Sequence, residues 1–122
     1  MIQLSRAEFN RLARHAYQQL PPRVRQALDN VDVAVEEWPA PEDLESAEGA
    51  ATLLGLYVGV PLPERVGGAP LLPDRIVLFR QPILRSCATR AEVVREIRVT
   101  LWHEVGHYLG LAEHDLHRLG YG

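Results

Sequence analysis

Residues 101–116 read LWHEVGHYLGLAEHDL, and within them stands His103-Glu104-Val105-Gly106-His107, the pattern H-E-x-x-H. On a helix, positions four apart project from one face, one turn apart. His103 and His107 can therefore present two imidazoles to a single Zn²⁺, each at about 2.0–2.1 Å. Glu104 sits about 100° around the helix, too far to be a good third ligand. It can still reach a water on the metal and accept its proton, the role this pattern gives it.

The surrounding residues support a helix with two distinct sides. Thr89-Arg-Ala-Glu92 is a capping box that opens it. From Arg90 onward, Val94, Ile97, Leu101, Val105 and Tyr108 form an apolar stripe at helical spacing, with His103 and His107 opposite, near Glu96, Val99 and Thr100. The competing reading is a surface helix with two solvated histidines; the well-begun helix, its glycines and the donors that follow weigh against it. Gly106 costs about 1 kcal/mol against Ala in a helix interior. A glycine beside two ligands suggests that another backbone or a substrate passes close. Gly110 follows the last periodic residues and reads as the C′ glycine that stops the helix. A chain turned there can come back toward the metal, and Glu113, His114 and Asp115 follow, one of them the expected third ligand.

At this point the residues resemble a known family. H-E-x-x-H-x-x-G with a ligand ten residues after the first His is metzincin-type spacing, with Glu113 where metzincins carry His. The run HEVGHYLGLAEHDLHRLG is similar to the small bacterial zincin-like metallopeptidases, the mini-zincins. Their motif has an acidic residue, usually Asp, at that third place, then a Leu-x-x-Leu-Gly-like ending, here Leu116-His-Arg-Leu119-Gly120. Upstream, TLLGLY at 52–57 and DRIVLF at 74–79 followed by RQPIL at 80–84 look similar too, so the resemblance spans roughly residues 30–122. It implies a zinc cofactor held by His103, His107 and Glu113, and Glu104 as general base. Glu is longer than the usual Asp, and His114 beside it is the alternative third ligand; spacing puts Glu113 first. The only methionine is Met1, so no Met-turn floors the site. Tyr121 is a candidate for that place, against the plain reading of a packing tyrosine near the chain end.

Length and composition bound the rest. The 122 residues suit one domain, 1–122, with a single hydrophobic core. A net charge of −3 and a pI near 5.9 argue against nucleic acid or an anionic membrane as partner. No apolar run approaches the roughly 18 residues of a spanning helix, and the first residues show no signal peptide. Cys87, the only cysteine, fits a cytoplasmic protein. Lying about 24 Å before His103 along a helix axis, it reads as a small buried apolar residue and not a ligand.

The remaining chain divides by its punctuation. Ser5-Arg-Ala-Glu8 caps a helix to about Gln19, with Phe9, Leu12, Ala13 and Ala16 on one face and His15 an ordinary helix residue. Pro22 starts a short helix through Leu28, and Val31–Val35 alternates as a half-buried strand. Residues 39–50 form a polar loop or one turn of helix, whose acids make a solvated face. Residues 52–60 read as a strand in which Gly55 and Gly59 mark a bulge or a close backbone neighbour. Residues 61–70 are a loop by composition and a candidate cleft rim. Arg75–Phe79 is a third strand, and Pro82–Leu84 a helical turn. The fold class is α+β: a zincin-like minimal domain with a small three-stranded sheet packed on helices, the site helix carrying the motif, and a short last helix. The resemblance implies that an edge strand borders the cleft, where an extended peptide can add; Arg75–Phe79 is the expected strand.

The expected activity is zinc-dependent hydrolysis of a peptide bond in a peptide or protein substrate. His114, His117, Tyr57 and Tyr121 are candidate oxyanion stabilisers, with Tyr57 equally readable as sheet packing and His117 as a surface residue. A degenerate zincin that binds metal or protein without turnover is the alternative. A metal-dependent ribonuclease ranks below both: bacterial rRNA-maturation endonucleases share an H-x-x-x-H helix, but lack a catalytic Glu after the first His. Oligomeric state stays open, a homodimer included.

Overall fold

The computed structural model describes residues 2–46, 53–59 and 74–110. Its elements are helices α1 (Arg6–Gln18) and α2 (Pro22–Ala27), strand β1 (Val31–Glu36), helix α3 (Pro41–Ser46), strands β2 (Gly55–Val58) and β3 (Asp74–Phe79), and helices α4 (Arg80–Arg85) and α5 (Arg90–Tyr108). The α+β expectation holds, with α3 formed inside the polar stretch and a full α4 where one turn was expected.

Both capped helices begin where their sequences say. Ser5 Oγ accepts from the Glu8 N–H at 3.1 Å, and Thr89 Oγ1 from the Glu92 N–H at 3.2 Å. The Glu92 carboxylate reaches back one residue beyond the cap to the Ala88 N–H, at 2.7 Å. The Glu8 carboxylate is directed at Arg11 and at Arg90, the latter at 2.8 Å. The start of α1 is thereby tied to the start of α5. At the other end of α5, Gly110 has φ 82° and its N–H donates to the His107 carbonyl at 3.0 Å. It takes the left-handed backbone that stops the helix, as read from sequence.

The sheet order is β1-β3-β2, with β1 parallel and β2 antiparallel to β3. The expectation that Arg75–Phe79 is the cleft-side edge strand is therefore wrong: β3 is central, paired on both sides. The reason lies in its own residues. Ile76-Val77-Leu78-Phe79 are all buried, and an unbroken apolar run suits a strand covered on both faces. Among the described residues the edge strands are β1 and β2, and β2 is the one that meets α5.

The core lies between α1, α5 and one face of the sheet. Phe9, Leu12, Ala13 and Ala16 of α1 join Val93, Ile97, Leu101 and Val105 of α5, Ile76 and Leu78 of β3, and Ile83 of α4. Each fully buried Leu, Ile or Phe stabilises by about 1.5–3 kcal/mol. The α5 stripe starts at Val93, with Val94 only packed against the cluster. Tyr108 closes it, its hydroxyl donating to the Ala27 carbonyl at 3.0 Å. Cys87 is buried in the same core, and burial pushes its thiol pKa up. Among the described residues no helix is long and apolar enough to cross a membrane.

Candidate metal centre

The C-terminal half of α5 carries a donor cluster on its other side. The His103 and His107 rings stand 4.5 Å apart between centroids, at 77° to each other. Glu104 lies between them, with Oε1 3.1 Å from His107 Nδ1 and Oε2 3.9 Å from His103 Nε2. One donor atom from each of the three falls within 4.8 Å of the others. Two imidazoles and a carboxylate at such spacing suit a borderline cation such as Zn²⁺.

Strand β2 is pressed against this cluster, and Gly55 allows it. A Cβ on Gly55 would stand 2.6 Å from Thr100 Cγ2, 3.1 Å from the Val77 carbonyl and 3.6 Å from Glu104 Cγ. Gly55 thus lies against two side chains of α5, and its close backbone neighbour is the Val77 carbonyl of β3. Leu54 turns its carbonyl to β3, accepting from the Phe79 N–H at 2.9 Å. By the alternation of an antiparallel strand, Gly55 and Tyr57 direct their peptide groups the other way. The Tyr57 N–H accordingly donates to Glu104 Oε1 at 2.9 Å.

The Tyr57 side chain anchors the same strand. Its hydroxyl donates to Asp74 Oδ2 at 2.5 Å, and its ring meets Tyr108 edge-on at 5.7 Å and 71°. Gly59 has φ 152°, and a Cβ there would strike the Asp74 carboxylate. The second glycine therefore serves backbone conformation and close approach together.

Burial singles out the same place. Among the described residues three polar or charged side chains are buried, Asp74, Thr100 and Glu104, and all three border β2. Taking polar groups from water costs free energy unless they are partnered. Their partners here are the Tyr57 hydroxyl, Glu96 and the Tyr57 N–H. A cavity of about 250 Å³ opens beside them, walled by Leu53, Leu54 and Gly55 on one side and by Glu96, Thr100, His103 and Glu104 of α5 on the other.

A family model for zincin-like metallopeptidases matches residues 28–122. The chain belongs to that family. Among solved structures it is similar to a conserved hypothetical protein from Thermo thermophilus, at 24% identity and TM-score 0.60, over 87% of this chain and 94% of that one. That likeness concerns the fold. No match was found among the curated proteins.

In this zincin-like chain the structure brings together His103, Glu104, His107 and Tyr57. Glu113 and His114, the rival third ligands, lie outside the described residues, as do Asp115, His117, Tyr121, the expected last helix and the loop 61–70. His15 is exposed on α1. Asp74 was missed by the sequence reading, as was the Tyr57 N–H. The trace of Asp74 was visible: an acid opening an otherwise apolar strand needs a partner once that strand is central.

Proposed function

We propose that this chain is a zinc-dependent peptidase in which Glu104 is the general base. The observation that carries this is the state of Glu104. A buried carboxylate stands between two imidazoles of its own helix, with one oxygen fixed by a backbone N–H of the neighbouring strand. A carboxylate buried only to support packing has no need of that company.

His103 and His107 would hold the metal, with Glu113, or His114 in its stead, completing the set. Bound there, zinc supplies a Lewis acid and lowers the pKa of water toward ~7. Glu104 takes the proton from the attacking water and returns it to the amine nitrogen that leaves. Since Oε1 is engaged by Tyr57, Oε2 is the oxygen that handles the proton. Strand β2 runs beside that carboxylate, and an extended peptide would add along it. Leu53, Leu54 and Thr100 line the cavity beside the base.

The test is Glu104→Gln against His107→Ala, with zinc measured by elemental analysis and cleavage by a broad peptide library. Glu104→Gln is expected to retain zinc and lose cleavage, and His107→Ala to lose both. Glu104→Gln protein that cuts as fast as wild type removes Glu104 from the chemistry. Zinc bound by wild-type protein with no cleavage of any peptide would make the chain a metal-binding module.

A further inference from the structure

A second cavity, of about 480 Å³, lies between α3, the start of β2 and α4, lined by Trp38, Leu44, Leu53, Pro82 and Arg85 among others. Its size falls in the range of ligand pockets, roughly 300–1,000 Å³. Two features separate it from an accidental dent. Trp38 and Leu44 are two of the three large hydrophobic side chains exposed among the described residues, at 52% and 40%, and both face this one cavity. The Arg85 guanidinium lies over the Trp38 ring, 5.0 Å from its centroid. That cation–π contact holds the indole in place, so an aromatic wall is formed before any ligand arrives.

The cavity adjoins the one beside the metal centre, because Leu53 walls both spaces. From Leu53 to Tyr57, whose N–H holds Glu104, the chain advances four residues. Only Gly55–Val58 of that stretch is strand, so at about 3.3 Å per residue the span is at most about 13 Å. A peptide extended along β2 advances at the same rate. When its scissile bond lies at Glu104, a residue about four positions away lies at the cavity. Side chains alternate with period two, so that residue points to the same side as the one at the reacting centre.

We infer that this cavity is a remote specificity subsite, which takes an aromatic or branched aliphatic side chain about four residues from the bond that is cut. The substrate class is an extended peptide with an apolar side chain at that distance. Arg85 at the rim disfavours Lys or Arg there. The inference rests on the peptidase reading above for the meaning of the scissile bond, and its test is built to fail separately.

The probes are acetylated, amidated ten-residue peptides of Ala and Gly that carry Phe, Leu, Asp or Lys at each position in turn. Cleavage is measured with the zinc-loaded wild-type protein, binding with zinc-loaded Glu104→Gln. Phe or Leu about four residues from the cut is expected to tighten binding about tenfold or more over Asp or Lys. In the Glu104→Gln background, Trp38→Ala and Leu44→Glu are each expected to erase that preference, with thermal melts to confirm folding. Leu44 is at the exposed rim, so its variant keeps the test alive if the tryptophan variant does not fold. Cleavage with no apolar preference at that distance, or a preference that survives both substitutions, overturns the subsite and leaves the peptidase reading standing. Binding with the preference but no cleavage supports the subsite and overturns the peptidase reading. Neither binding nor cleavage overturns both.

Discussion

Helix α5 has two buried sides, and they are buried in different ways. Val93, Ile97, Leu101 and Val105 follow at intervals of four and belong to one hydrophobic cluster with residues of α1, the sheet and α4. Thr100 and Glu104 are nearly as deep, but on a side that meets β2 and carries His103 and His107. The first side is tolerant, since apolar residues of similar volume can replace one another there at under about 1.5 kcal/mol. The second is exacting. Each of its buried polar groups is matched to a particular partner, and Gly55 is needed to bring the strand near enough. One nineteen-residue helix thus holds the fold with one side and presents chemistry with the other. The two should be separable by substitution.

The strongest way to break the second side is Glu104→Gln. Loss of a general base costs about 10²–10⁴ in rate, expected in kcat, while zinc content and the unfolding midpoint stay close to wild type. Leu101→Ala is the matching break of the first side. It empties a fully buried position and costs about 2–5 kcal/mol of stability, read from denaturant unfolding. Zinc stoichiometry below the transition should be unchanged, because Leu101 belongs to the apolar cluster and not to the donor set. If Leu101→Ala abolished zinc binding while still folded, the two sides would not be independent.

Gly55→Ala probes the seam where they meet. Its Cβ would need Thr100 or the Val77 carbonyl to give way, an overpacking that costs about 1–3 kcal/mol. Displacing β2 also loosens the Tyr57 N–H from Glu104. Cleavage should therefore fall more than zinc affinity does, since neither histidine is on β2. Equal loss of both would mean that β2 supports the whole donor cluster and not the base alone.

These differences also explain what the sequence could tell. Helix α5, both caps, the stop at Gly110 and the His-Glu-His cluster follow from spacing along one element, and local spacing is what a sequence displays. Gly55 and Gly59 announced a close neighbour without naming it. The edge strand was misread because Ile76–Phe79 is apolar enough for any cleft wall, and only pairing on both sides shows it to be central. Tyr57 and Asp74 are seventeen positions apart, and nothing local marks a backbone N–H as the group that holds a base. The partners of a buried polar group come from other elements, so that half of the site needed coordinates.

The smallest expected effect lies away from α5 and sharpens the contrast by showing a carboxylate whose work is structural. Glu37, just past β1, accepts from Gln81 Nε2 at 3.1 Å, Arg80 Nη1 at 2.6 Å and Arg6 Nη1 at 2.9 Å. The Gln81 hydrogen bond first, then the Arg80 and Arg6 charges, hold its pKa below the ordinary glutamate value, against an opposing contribution from burial. A carboxyl with a lowered folded-state pKa favours folding above its unfolded pKa, and that contribution is lost as pH falls through the folded one. The stability gap between wild type and Glu37→Gln, from urea unfolding, should thus be constant near neutrality. It should shrink as the pH drops below the usual glutamate range, and shrink with added salt, because the pairs are at the surface. Glu37 has two guanidinium groups to answer its charge, whereas Glu104 is met by a backbone N–H and an imidazole. A gap unchanged by pH and salt would show that Glu37 acts through hydrogen bonding and fit, and the division between a charge held by cations and one kept ready for a proton would lose its clearest structural counterpart.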